Sequence, residues 1–97
     1  MSFVATIVIH EAITKLDALN MIATVSGTRI TDSGSANPIV VLSSGSRVEI
    51  DVPKFGEAPP MAVDVWSDVS AEHARRDALQ MQSLLQKSAG WKVLQDW

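Results

Sequence analysis

The sequence predicts an α+β domain: one mainly antiparallel sheet that includes a three-stranded meander, with two helices packed on one face. Three observations lead there. Residues 15–25 and 71–89 carry apolar side chains at three-four spacing, the period of a helix lying on a core. Residues 3–10, 39–43, 46–52 and 61–66 run apolar or alternate with the period of a strand. The order is strand, helix, short strand, three strands in succession, helix and a final strand, which does not alternate singly as a parallel α/β sheet would. A split βαβ plan, with the meander supplying additional strands, is one way to arrange these elements.

Phe3 to His10 is almost wholly apolar, with Phe3, Ala5, Ile7 and Ile9 on one side and Val4, Thr6, Val8 and His10 on the other. Such a run predicts a central strand covered on both faces. Thr14 and Asp17 have the spacing of a capping box, and Gly27 is placed to close the helix in a left-handed conformation. The first helix is therefore expected from Lys15 to Val25. Its polar stripe of Asp17, Asn20 and Thr24 is so narrow that burial on more than one side is expected. Thr28 to Thr31 predicts a short edge strand, and Asp32 to Pro38 is a loop by composition.

Arg47-Val48-Glu49-Ile50-Asp51-Val52 alternates charged or acidic side chains with β-branched ones, the mark of a strand with one dry face and one wet face. Read as a two-residue hairpin loop, Ser44-Gly45 sets Val41 opposite Val48 and Ile39 opposite Ile50 on the dry face. Leu42 then meets Arg47, and Val40 meets Glu49, on the wet face. After the proline-rich segment Pro53 to Pro60, Met61 to Trp66 returns as a strand with Met61, Val63 and Val65 inward and Ala62, Asp64 and Trp66 outward. Ser67 or Ser70 can cap the second helix, whose buried stripe is Ala71, Ala74, Ala78, Met81 and Leu85. Arg75, Arg76, Asp77, Gln80 and Gln82 are assigned to water, Gly90 ends the helix, and Trp91 to Trp97 is read as a last strand.

A chain of 97 residues suits one domain, residues 1–97, with a single core. Its apolar fraction of 46% is high for a small monomer, which favours a protein partner or homodimerisation as the sink for surplus apolar surface. The chain has no cysteine, so a disulfide framework and thiolate zinc sites are excluded. No apolar run approaches a membrane span, and Met1-Ser2-Phe3-Val4 lacks the basic start of a signal peptide, so a cytoplasmic protein is expected. A net charge of -3, with no basic cluster beyond Arg75-Arg76, argues against nucleic-acid binding. Its isolated glycines form no phosphate-binding pattern, and no cofactor is expected.

Among the chemistry-bearing residues, His10 beside Glu11 at a strand end is the best catalytic-looking pair, with a cleft toward Phe55 as its setting. The structural account of His10 is a boundary residue bonded to backbone, and His73 beside Glu72 is read as exposed helix surface. Glu49, Asp51 and Asp64 are carboxylates gathered on one flat sheet face, an arrangement that fits a solvated surface better than a wrapped metal site. No catalytic and no metal-binding residue is therefore assigned. The favoured function is a non-catalytic protein-binding module, in concrete form a small acidic inhibitor or immunity-type protein. Its contact set is Val40, Leu42, Glu49, Asp51, Asp64, Trp66 and Phe55, with Trp66 as the aromatic anchor and the carboxylates opposing a basic partner site. The alternatives are an enzyme or small-ligand binder near His10 and Glu11, and a homo-oligomeric structural subunit.

Overall fold

The computed structural model describes residues 2–31, 38–51 and 61–97, without the Asp51 side chain. In chain order the elements are β1 (Phe3–Ile9), α1 (Lys15–Ser26), β2 (Ile30–Thr31), β3 (Ile39–Val41), β4 (Arg47–Asp51), β5 (Met61–Ser67), α2 (Ala71–Leu84) and β6 (Val93–Gln95). Between α2 and β6 the helix continues through a π-helical turn at Leu85–Ala89. The strands form one six-stranded sheet in the order β2-β3-β4-β5-β1-β6, antiparallel throughout. β5, α2 and β6 make a split βαβ unit with β1 lying between its two strands. The order β4-β5-β1-β6 is that of a ferredoxin-like sheet, extended at one edge by β3 and β2.

Local chemistry sets the helix ends. Thr14 accepts a hydrogen bond from the Asp17 amide at the start of α1, and Ser70 does the same from the His73 amide at the start of α2. Gly27 and Gly90 close the two helical segments with φ of 68° and 69°, a region costly for any residue with a Cβ.

Both helices lie on one face of the sheet. α2 packs against β1 and β5, while α1 packs against β2, β3 and β4. Between the layers, Ile7, Ile9, Leu19, Ile22, Val48, Val63, Val65, Met81, Leu85 and Val93 are among the fully or almost fully buried core side chains. Each buried aliphatic of this size contributes about 1.5–3 kcal/mol of transfer free energy. β1 is central, as predicted, but its two faces differ among the described residues: Ala5, Ile7 and Ile9 are buried, Thr6 and Val8 are half-buried and Val4 is 47% exposed. α1 likewise buries Ala18, Leu19, Ile22 and Ala23 and turns Leu16 to solvent, so a single broad face is enough for it.

The hairpin departs from expectation in one instructive way. Its loop has three residues, Ser43, Ser44 and Gly45, closed by the Leu42 amide donating to the Ser46 carbonyl and the Gly45 amide donating to the Leu42 carbonyl. Gly45 takes φ of 92°, as the last residue of a three-residue hairpin loop requires. Val40 therefore pairs with Val48, and Val41 with Arg47. A one-residue slip moves every side chain of a strand to the other face. Val40 is fully buried, Leu42 is partly buried against the core, and Val41 is the residue that reaches the surface, 40% exposed.

Candidate functional site

The face of the sheet opposite the helices carries three cross-strand rows. One is Val41, Arg47, Trp66 and Val4; the next is Thr31, Ile39, Glu49, Asp64 and Thr6; the third contains Ala62, Val8 and Leu94. Among the described residues, neither helix covers this face, because α1 and α2 are both spent on the core side. Val4, Val41 and Leu94 are each 40% or more exposed here, scattered around a polar middle.

The middle is acidic. Glu49 and Asp64 are direct cross-strand partners, an arrangement that places like charges side by side. Asp64 is tied down by the Thr6 hydroxyl, which donates to its Oδ1 at 2.6 Å from the adjacent strand. Glu49 is exposed. Asp51 continues the same side of β4, paired through its backbone with Ala62, while its side chain lies outside the described residues. Arg47 lies close enough to feel the Glu49 charge, but its ion pair is made with Asp68. Its guanidinium bonds Asp68 at 3.0 Å, and the Ser2 hydroxyl donates to the same carboxylate at 3.0 Å. These donors hold the Asp68 carboxyl below the ordinary carboxylate value, and the Asp68 hydrogen bond holds Arg47 still more firmly protonated.

Trp66 is half-buried between Val4 and Arg47, with its indole N–H shielded from water and unpartnered among the described residues. Trp91 packs on the helix-side core and Trp97 is largely exposed. Of the predicted contact set, Glu49, Asp64 and Trp66 thus share the uncovered face. Val40 does not belong to that face, and Leu42 packs back toward the core; the residue that sequence reasoning missed is Val41. Glycine at the third position of Ser43-Ser44-Gly45 was the available signal for a three-residue loop and hence for Val41. Phe55 lies outside the described residues.

At the far end of β1, His10 is exposed, and its backbone amide donates to the Lys92 carbonyl at 2.8 Å. The Glu11 carboxylate accepts from the Lys92 amide at 2.9 Å, so it steers the chain into β6. His10 and Glu11 line neither of the two clefts described below.

On the helix side, two residues assigned to solvent prove to be largely buried. Asp77 is only 5% exposed, and His73 is mostly enclosed. Oδ2 of Asp77 accepts from the Ser44 hydroxyl at 2.7 Å and from the Ser46 hydroxyl. The His73 Nδ1 stands 3.6 Å from that same oxygen and 2.7 Å from the Ser67 hydroxyl. A catalytic relay needs the serine and the carboxylate on different ring nitrogens. Here both meet Nδ1, and Ser67 is 1% exposed and also accepts from the Val69 amide. The group is a clamp that joins α2 to the hairpin turn and to the end of β5. The His73 ring also borders a shallow cleft with Val69, Ser70, Glu72 and Arg76. Among the described residues, no group of His, Asp and Glu is placed to hold a metal ion, and no helix is long and apolar enough to cross a membrane.

No protein-family model matches this chain, and neither a curated protein nor a solved structure is significantly similar to it. The fold and the face define an α+β domain with a two-layer core and one sheet surface that neither of its own helices covers.

Proposed function

We propose that this protein is a non-catalytic binding module that presents the uncovered sheet face to a protein partner. The observation that carries this reading is the composition of the face: an acidic middle, Glu49 beside Asp64, set among Val4, Val41, Leu94 and a half-buried Trp66. The complementary surface has a Lys or Arg at its centre and an apolar border. Opposed charge speeds encounter, and burial of aromatic and aliphatic area slows release. A small inhibitor that covers a basic site on its target is the concrete form of this function, and a cytoplasmic target fits a chain without cysteine.

The test is a pull-down from native lysate with four proteins: wild type, Val41→Asp, Trp66→Ala, and an Arg75→Ala control on the exposed side of α2. The expected result is a protein retained by wild type and control and lost from both folded face variants. Its purified form should bind Trp66→Ala with an affinity lower by about 2 kcal/mol or more. Capture that is indifferent to Val41 and Trp66 overturns the proposal. Analytical ultracentrifugation that shows a wild-type dimer, abolished by Val41→Asp, replaces the partner with a second copy of the chain.

A further inference from the structure

A cleft of about 220 Å³ opens between the C-terminal end of α1, the Ser43–Gly45 turn and the outer half of α2. It lies on the helix side of the sheet, away from the face discussed above. Its walls are of two kinds. Val25, Leu42, Met81 and Leu84 make an apolar lining, and Asp77, Ser26, Ser43, Ser44 and Gln80 supply polar groups. Asp77 is the only one of these that carries a charge, and it is 95% removed from solvent by its 5% exposure. The Ser44 and Ser46 hydroxyls and His73 all approach Oδ2, and none of them approaches Oδ1. Among the described residues, no lysine or arginine lies within ion-pairing distance of this carboxylate.

We propose that this cleft binds a small alkylammonium ion. An ionised carboxylate can only accept hydrogen bonds, and an ammonium offers three donors and no acceptor, so the head group matches Asp77 together with the Ser44 oxygen. Anions are excluded by the same carboxylate. A neutral alcohol offers one donor and gains no charge-assisted bond. The aliphatic chain lies along Val25, Leu42 and Leu84. The cleft has the volume of about seven waters, which limits the ligand to an amine of roughly six heavy atoms rather than a drug-sized molecule. This site is independent of the sheet-face proposal, since the two share no residue.

The probe is n-pentylammonium chloride, titrated into the wild-type protein and followed by amide chemical shifts. Saturable shifts confined to Val25–Ser26, Leu42–Ser44 and Gln80–Leu84 are expected. 1-Pentanol should bind at least about tenfold more weakly, the loss that corresponds to one charge-assisted hydrogen bond. Asp77→Asn keeps an acceptor for Ser44 and Ser46 and should show a loss of the same size. If that variant does not fold, the comparison of amine with alcohol on the wild-type protein decides. Shifts that fail to saturate, that fall elsewhere on the molecule, or that are equal for amine and alcohol overturn the proposal.

Discussion

Ile7 and Val4 belong to the same strand, three residues apart, yet Ile7 is fully buried and Val4 is 47% exposed. The same division runs across the sheet. Val40, Val48, Val65 and Ala5 form a dry row beneath the helices, and Val41, Arg47, Trp66 and Val4 form the adjacent row on the uncovered side. Both rows are built mainly from apolar or amphipathic side chains, so hydrophobicity alone does not tell them apart. What separates them is the helix layer: α1 and α2 can cover one face, and both cover the same one. One face is therefore a core that holds the fold together. The other is a mixed acidic and apolar surface whose side chains should matter little to folding.

The largest effect that can break this comparison lies in two adjacent residues. Val40→Asp sets an unpaired charge among fully buried side chains, with a cost of several kcal/mol that rivals the roughly 5–15 kcal/mol stability of a small domain. Circular dichroism should show it unfolded. Val41→Asp, one residue on, should stay folded with its urea midpoint almost unmoved, a change within about 0.5 kcal/mol. The reverse result would mean that the hairpin has the two-residue loop and the opposite register.

The next contrast lies within β1. Ile7→Ala removes a fully buried side chain and should cost about 2–5 kcal/mol in urea denaturation. Val4→Ala should cost no more than about 0.5 kcal/mol, and comparable losses at the two positions would show that the outer face is also packed. Smaller again is the clamp on the helix side. Asp77→Ala strands the Ser44 and Ser46 hydroxyls and should destabilise by about 1–3 kcal/mol. An unchanged midpoint would show that water replaces the carboxylate at no cost.

The smallest effect is electrostatic and belongs to the rim of the uncovered face. Arg47 and Ser2 lower the folded-state pKa of Asp68 below its unfolded value. The contribution is therefore present above the unfolded pKa, near about 3.9, and is lost as pH falls through the folded value. Asp68→Asn should narrow the urea midpoint by a small amount at neutral pH and by nothing once Asp68 is protonated in both states. Both residues of the pair are solvent-accessible, so the difference should also shrink in high salt. A gap that persists in strong acid would assign it to something other than this ion pair.

Much of this fold was legible because its signals are local. Thr14, Gly27 and Gly90 mark helix ends through hydrogen bonds and backbone angles that involve only nearby residues. The alternation in β4 and β5 identifies their inward and outward residues correctly, since a strand's period does not depend on what it packs against. The errors in α2 lie where the deciding partner is distant in sequence, whereas the hairpin error turned on the length of one local loop. His73 and Asp77 look like exposed helix residues until the hairpin turn and the end of β5 arrive to bury them, 31 residues separating Ser46 from Asp77. The candidate site was half legible. Glu49, Asp64 and Trp66 follow from strand period alone, whereas exchanging Val40 for Val41 needed one more residue in a turn.

By itself, then, the sequence determined the α+β class, the order of the elements, the helix caps and the faces of β4 and β5, because each depends on periodicity or on hydrogen bonds within a few residues. Tertiary structure alone decided the choice of a single sheet face by both helices and the burial of a carboxylate in α2. Those outcomes depend on how segments far apart in the chain meet, and burial is a property of the meeting rather than of either segment.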